Sequence, residues 1–313
     1  MTAPATSVAY LGPAGTFTEE AMLSQPDYAA AELEPMATIA DVLEAVGARR
    51  CSLGFVPIEN AIEGTVNATL DGLVFDHELL IQREVVSDIH LHLMAPPGTT
   101  LADLRRVVSL PVALAQCRRY LARELPGAEH VAANSTADAA RLLGESGEPG
   151  TAAIAPRLAA ELYGLEVLAE DVEDHPDNQT RFVAVAASGV AAPTGHDCTS
   201  IVCFQRTDRP GSLHGILGQL AARSINLTKV ESRPTKRGLG DYCFVIDLEG
   251  HVADEVVADC LRDLHAQLAG VKFLGSYPRA GAQGAVHRRR VGQAFRAADR
   301  WLAELRAQIA DLG

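Results

Sequence analysis

From Ser7 to about Ala187, short apolar runs alternate with stretches in which apolar residues recur at every third or fourth position. The runs SVAYLG, SLGFVPIE, HLHLMAP, RRVVSL, TAAIAP and TRFVAVA predict strands. TEEAMLSQ, IADVLEAVGA, PVALAQCRRYLARE and TADAARLLGE predict helices. Alternation of this kind predicts an α/β fold with parallel sheets. The segment AASGVAAPTGHD then breaks every period with glycine, proline and small residues, so it reads as a linker.

The pattern after the linker differs. TSIVCFQRT predicts a strand, and PGSLHGILGQLAARS a helix with Leu213, Ile216, Leu217 and Leu220 on one face. INLTKVESRP and DYCFVIDLEG predict strands around the turn TKRGLG. DEVVADCLRDLHAQLAG predicts a helix aligning Val257, Cys260, Leu261, Leu264 and Leu268, and VKFLGSY closes the set. The order βαββαβ is the ferredoxin-like plan. Two domains are therefore expected, at residues 6–188 and 198–279, with a basic tail of helical character over 280–313.

Composition narrows the partners. Hydrophobic residues make up 48% of the 313-residue chain and charged ones 21%, enough for real cores. A formal net charge of −13 sets nucleic acid and anionic membrane aside as main partners, since phosphates would be repelled. A local pocket for a small anion stays compatible with that charge. MTAPATSVAYLG lacks the basic start and apolar core of a secretory signal, and no run approaches the roughly 20 apolar residues of a spanning helix. Cys51, Cys117, Cys198, Cys203, Cys243 and Cys260 form no CxxC pair. In a chain expected to be cytoplasmic they read as reduced and buried, with no structural zinc.

Three stretches carry candidate chemistry. In YLGPAGTFTEEA a strand meets a glycine turn and a helix start, where Thr16 and Glu19 fit a capping box. Gly15 and Thr16 would offer helix-start amides to an anion, unless the glycines serve geometry alone. In LGFVPIENAIEGTVNATLDGL a strand ends at Pro57, a polar loop carries Glu59 and Asn60, and Gly64-Thr65 opens a second helix. Two such loops converging would suit a small molecule with more than one carboxylate; the plainer alternative is that Glu59 and Asn60 cap a turn. HPDNQTRFVAVA sets Thr180 and Arg181 at the mouth of an apolar strand, and alternation points Thr180 and Phe182 one way, Arg181 the other. HLHLM puts His90 and His92 on one side of a strand without a third ligand at suitable spacing, so packing is expected there rather than a metal. Asn67-Ala68-Thr69 matches a glycosylation sequon, accidental in a chain with no secretory route.

Together, YLGPAGTFTEEA, VPIENAIEGTVNATLDGL, NQTRF and PGSLHGILGQLAARSINLTKVESRP resemble the monofunctional bacterial prephenate dehydratases. The resemblance reaches to about Tyr277. It implies a catalytic domain of two α/β lobes around a cleft, similar to periplasmic binding proteins, followed by an ACT regulatory domain. It implies conversion of prephenate to phenylpyruvate, carbon dioxide and water, with no metal or organic cofactor. The arogenate reaction is the neighbouring alternative, and a two-lobed binding protein without catalysis the alternative from another class. By the same resemblance Thr180 is central, with Glu59 and Asn60 beside it. Thr180 Oγ would hydrogen-bond the departing hydroxide, helped by a proton relayed from Glu59 or water. Gly15, Thr16, Ser109, Gln116 and Arg181 would hold the substrate. Two positions depart from the family pattern, Ala61 where serine is usual and Leu110 where histidine is common. In the second block PGSL and ESRP match effector motifs. L-phenylalanine would meet Gly211, Ser212, Leu213, Asn226, Glu231, Ser232 and Arg233 between paired domains, implying a homodimer or homotetramer.

Overall fold

The computed structural model describes residues 6–206, 209–236, 238, 240–280 and, near the C-terminus, 300–301, 303–304 and 306–307. Contacts gather the chain into two units, Met1–Leu79 with Val85–Ala187, and Leu80–Glu84 with Ser188–Gly313. The strands before the linker are β1 (Ser7–Leu11), β2 (Glu32–Met36), β3 (Leu53–Asn60), β4 (Gly64–Thr65), β5 (Leu80–Asp88), β6 (His92–Ala95), β7 (Arg106–Ser109), β8 (Glu129–Ala132), β9 (Thr151–Ala155), β10 (Glu166–Ala169) and β11 (Gln179–Ala186).

These strands form two sheets with one shared plan. The first runs β2-β1-β3-β11-β5, with β4 beside β3; the second, read from its other end, runs β8-β7-β9-β6-β10. In each, a first strand pairs in parallel with two neighbours, β1 with β2 and β3, β7 with β8 and β9. The fourth strand is antiparallel, β11 on β3 and β6 on β9. Each fourth strand follows a strand of the opposite sheet in sequence, so the chain crosses between lobes twice. That exchange makes the sheets mixed and corrects the expectation of parallel ones. It also produces the two-lobed α/β plan.

Local sequence explains the pieces. The helix Ile39–Gly47 starts at a reciprocal capping box between Thr38 and Asp41. It buries Val42, Leu43, Ala45 and Val46. Gly54 on β3 lets it lie close, because a Cβ there would stand 2.9 Å from both Val42 Cγ1 and Val46 Cγ2. The first lobe's core contains Phe55 of β3 stacked on Phe182 of β11, centroids 5.5 Å apart, with Tyr28 edge-on to Phe55 at 5.9 Å. That stack fixes β11 two residues from Thr180. In the second lobe β9 is buried along its whole length, as its small apolar residues require. The helix expected over PVALAQCRRYLARE breaks at Cys117 into Pro111–Gln116 and Arg118–Glu124.

After the linker come β12 (Asp197–Phe204), the helix Ser212–Ala222, β13 (Leu227–Pro234), β14 (Tyr242–Glu249), the helix Glu255–Gln267 and β15 (Gly270–Pro278). The sheet order is β13-β14-β12-β15, every pairing antiparallel. This is the expected ferredoxin-like unit. Ile201, Cys203, Phe244, Ile246 and Leu248 pack under Ile216, Leu220, Val257, Cys260 and Leu264. The expected tail helix lies largely outside the described residues; within it Arg300, Trp301, Ala303, Glu304 and Arg306 are helical. Among the described residues no helix is long and apolar enough to cross a membrane.

Candidate active site

The polar ends of β3 and β11 lie side by side. β3 does not end at Pro57 but continues to Asn60, so Glu59 and Asn60 are strand residues rather than a loop. Thr180 faces Asn60 and Arg181 faces Glu59, after which the register shifts so that Phe182 meets Pro57. The shift leaves Ile58 as an extra residue in β3, a bulge that re-aims the strand end. Thr180 is buried at 8% exposure, whereas Arg181 is half-buried, its Nη1 3.5 Å from Glu59 Oε2. The threonine thus has the amide for a neighbour and the guanidinium has the carboxylate. A relay to Thr180 is expected from Glu59 or water; the register sets Glu59 opposite Arg181.

Asn60 has its orientation dictated by the backbone. Its Oδ1 accepts from Ile62 N at 2.9 Å and from Glu63 N at 3.0 Å. Both partners are donors only, so the amide nitrogen must face the other way. Nδ2 accordingly donates to Thr180 Oγ1 at 2.8 Å and to Asn178 Oδ1 at 2.9 Å, with Gln179 O farther at 3.2 Å. The assignment then propagates. Asn178 Nδ2 faces Gln116 Oε1 at 3.4 Å, and Gln116 Nε2 faces Glu63 Oε1 at 3.4 Å. Thr180 receives a proton-donating group, which leaves its own O–H to point elsewhere.

Asn178 is a residue of this cluster that sequence reasoning passed over, taking it for part of a turn. Only 2% of it is exposed, and it joins Gln116 of the second lobe to Asn60 of the first. Its signal was its place two residues before Thr180, which is visible only once β11 is known to start at Gln179. Gln116 is positioned by the helix break at Cys117; its carbonyl accepts from Asp174 N at 2.6 Å instead of continuing the helix. The Ser109 hydroxyl is engaged within the second lobe. The residue is 0% exposed and donates to Ile154 O at 2.6 Å, so its hydroxyl ties β7 to β9.

The glycine turn also differs from expectation. Thr16 caps the helix Phe17–Leu23 by accepting from Glu19 N at 3.3 Å, and its hydroxyl donates to Leu11 O. Glu19, however, reaches Gly15 N at 2.5 Å and the Tyr10 hydroxyl at 3.0 Å rather than the Thr16 amide. The anion at this helix start is the chain's own carboxylate, so the Gly15 amide is already committed. Burial, and then the Glu19 charge, push the Tyr10 phenol well up. Gly64-Thr65 opens no helix: the pair forms β4, and the next helix begins at Asn67 without a side-chain cap. Thr69 of the sequon is fully buried and donates to Pro57 O at 2.6 Å.

His90 and His92 are not strand neighbours, because β6 starts at His92. His92 is buried, and its Nδ1 accepts from Asp171 N at 3.2 Å. His90 is exposed, with Nδ1 3.3 Å from both Asp171 Oδ1 and Glu173 Oε1. Carboxylates that sequence spacing kept distant are thus close to it, and these three are the cluster of possible metal donors among the described residues.

In the second unit Gly211 precedes the helix Ser212–Ala222 with φ +87°, a conformation suited to glycine. Ser212 Oγ donates to Arg209 O at 2.7 Å, and Leu213 packs against the core. Asn226 and Ser232 are exposed, Asn226 just before β13 and Ser232 within it. Glu231, half-buried on β13, lies 3.4 Å from Lys229 Nζ and 3.7 Å from Arg233 Nη1.

A two-lobed α/β unit with a polar cluster spanning its lobes, followed by a ferredoxin-like unit, defines the class as an enzyme with an appended regulatory module. Residues 8–189 match the family model for prephenate dehydratase, and residues 199–266 that for the ACT domain. The chain belongs to the prephenate dehydratase family. Its reaction is the conversion of prephenate to phenylpyruvate, carbon dioxide and water. A prephenate dehydratase of Mycolicibacterium vanbaalenii is 44% identical over 292 residues, covering 89% of this chain and 93% of the relative. The crystal structure of a prephenate dehydratase from Arthrobacter aurescens in complex with L-Phe is similar at TM-score 0.88 and 42% identity, over 96% of this chain and 99% of that one. GqqA, described as a novel type of quorum quenching acylase, is similar at TM-score 0.78 and 30% identity, over 88% and 98%.

Proposed function

We propose that Thr180 is the donor to the departing hydroxyl of prephenate, with Asn60 as the group that aims it. Loss of carbon dioxide delivers an electron pair to the ring, the ring aromatises, and the carbon–oxygen bond at the hydroxyl breaks. Hydroxide leaves poorly unless its developing charge meets a hydrogen bond or a proton. The observation that carries this reading is the Asn60 Nδ2 to Thr180 Oγ1 bond, whose direction Ile62 N and Glu63 N dictate. Gln116 and Arg181 are assigned to the substrate carboxylates, with Glu59 as the counter-ion that sets Arg181. An acyl-transfer chemistry of the kind named for GqqA would need a base to take a proton from a nucleophile. The Asn60 amide presents Thr180 with the opposite polarity.

The second unit is assigned L-phenylalanine as feedback effector, at Gly211, Ser212, Leu213, Asn226, Glu231, Ser232 and Arg233. Its ACT match and the L-Phe complex of the Arthrobacter relative support this. Pairing of these units gives a homodimer or homotetramer. Six buried, free cysteines favour a reducing, cytoplasmic setting.

The test is steady-state turnover of prephenate and of arogenate, each with and without L-phenylalanine. Thr180→Ala is expected to lower kcat on prephenate by about 10²-fold or more while substrate still binds. Full activity of that variant would sink the assignment, and faster turnover of arogenate would overturn the substrate.

A further inference from the structure

The short helix Arg157–Tyr163 belongs to the second lobe, between β9 and β10, yet its C-terminal end touches the first lobe's glycine turn and its N-terminal end approaches Glu20 on the helix that follows that turn. At its C-terminal end the Tyr163 hydroxyl donates to Ala14 O at 2.6 Å. Toward its N-terminal end the helix approaches Glu20, whose carboxyl has the Leu158 backbone, His90 and Arg157 nearby. Between them the surfaces nearly merge. A Cβ on Gly15, which has φ +84°, would stand 3.2 Å from Ala159 Cα and 3.2 Å from the Tyr163 ring. Tyr163 is itself held from behind, since a Cβ on Gly144 would come within 2.5 Å of its carbonyl oxygen.

We propose that this helix is a latch between the lobes, in which Tyr163 and Glu20 act as positioning residues that hold the glycine turn in place when the cleft is closed. The proposal rests on reading the cleft between these lobes as the active site. Neither residue touches the Thr180 cluster, so their effect is on how readily the cleft closes around substrate. The latch stands on the side of the glycine turn, and the Gln116–Glu63 contact joins the same two lobes at the Thr180 cluster. Two separate attachments fix the closure in two places, which a single one would not do.

Tyr163→Phe keeps the ring against Gly15 and deletes one hydrogen bond. Because substrate binding must then supply what the latch supplied, KM for prephenate is expected to rise about three- to tenfold with kcat within about twofold. Glu20→Gln, which removes the charge near the N-terminal end of this helix, is expected to move KM the same way. Hydrogen exchange of the unliganded enzyme gives a readout independent of chemistry. Tyr163→Phe should quicken exchange in residues 11–20 and 157–163, with the thermal midpoint little changed. Failure of the Thr180 assignment would leave that exchange result intact, so the two readings fail separately. The latch is overturned if KM stays within about twofold of the parent in both variants, if the loss falls on kcat alone, or if exchange in the two segments is unaltered.

Discussion

Two main-chain amides, those of Ile62 and Glu63, set the polarity of a side-chain relay that ends on a hydroxyl. Asn60→Asp tests this at nearly constant shape. The carboxylate would still accept from both amides, but its second oxygen would face Thr180 Oγ1, Asn178 Oδ1 and Gln179 O, all of them acceptors. Thr180 would turn its proton toward the aspartate and away from the leaving group. The expected result is a fall in kcat of about 10²-fold or more with KM changed far less; comparable loss in both would refute an aiming role. A second residue-scale prediction concerns His92, whose burial, reinforced by Arg157, holds its pKa below the ordinary 6.5. The folded chain keeps this imidazole neutral, while the unfolded chain takes up a proton below 6.5. The stability it contributes is therefore fully present above 6.5 and is lost as pH falls from there toward the lowered folded value. Urea midpoints measured from pH 7.5 to pH 5.5 should decline, and His92→Gln should flatten the decline.

At the scale of elements, the close approach of the helix Ile39–Gly47 to β3 decides where the Asn60 end of that strand sits. Gly54→Ala would press a methyl onto Val42 and Val46 at 2.9 Å and onto Val185 at 3.2 Å, side chains with no flexible end to yield. The expected cost is about 1–3 kcal/mol in urea unfolding, and a neutral result would show that the strand has room to shift. The same scale explains what could be read from the chain beforehand. The expected strands β1, β3, β6, β7, β9 and β11 all have neighbours on both sides. Of the unexpected ones, β2, β5, β8 and β10 are the four outer strands of the two sheets, and β4 is a two-residue strand beside β3. β2 and β8 are mostly exposed, so neither alternation nor an apolar run marks them. The site shows a similar division. Thr180, Asn60 and Glu59 were visible as polar interruptions of apolar strands. Asn178 was not, because asparagine beside aspartate has the signature of a turn and its burial arises only when the lobes meet.

At the scale of the whole molecule, a change of pattern at the linker marks the two units, since a ferredoxin-like order is built from consecutive elements. The lobes are harder to read, because β6 and β11 each join a sheet made of distant segments, and no local periodicity records that exchange. Their division came from the family resemblance. The linker-side unit also carries the prediction that links the molecule to regulation. Gly211 holds φ +87° immediately before the helix whose first residues, Ser212 and Leu213, are assigned to the effector. Among the described residues no atom beyond its chain neighbours lies within 4 Å of a Cβ at Gly211, so alanine there would meet backbone strain first. Holding a left-handed conformation costs a non-glycine residue about 1–2 kcal/mol. The turn in Gly211→Ala should relax, move the Ser212 and Leu213 amides, and raise the L-phenylalanine concentration needed for half-inhibition by about fivefold or more. Turnover without phenylalanine should stay at the parent level, because the Thr180 cluster lies in the other unit. An unchanged inhibition curve would remove the Gly211 turn from the effector site, and a fall in basal turnover would mean that the turn serves the catalytic fold instead.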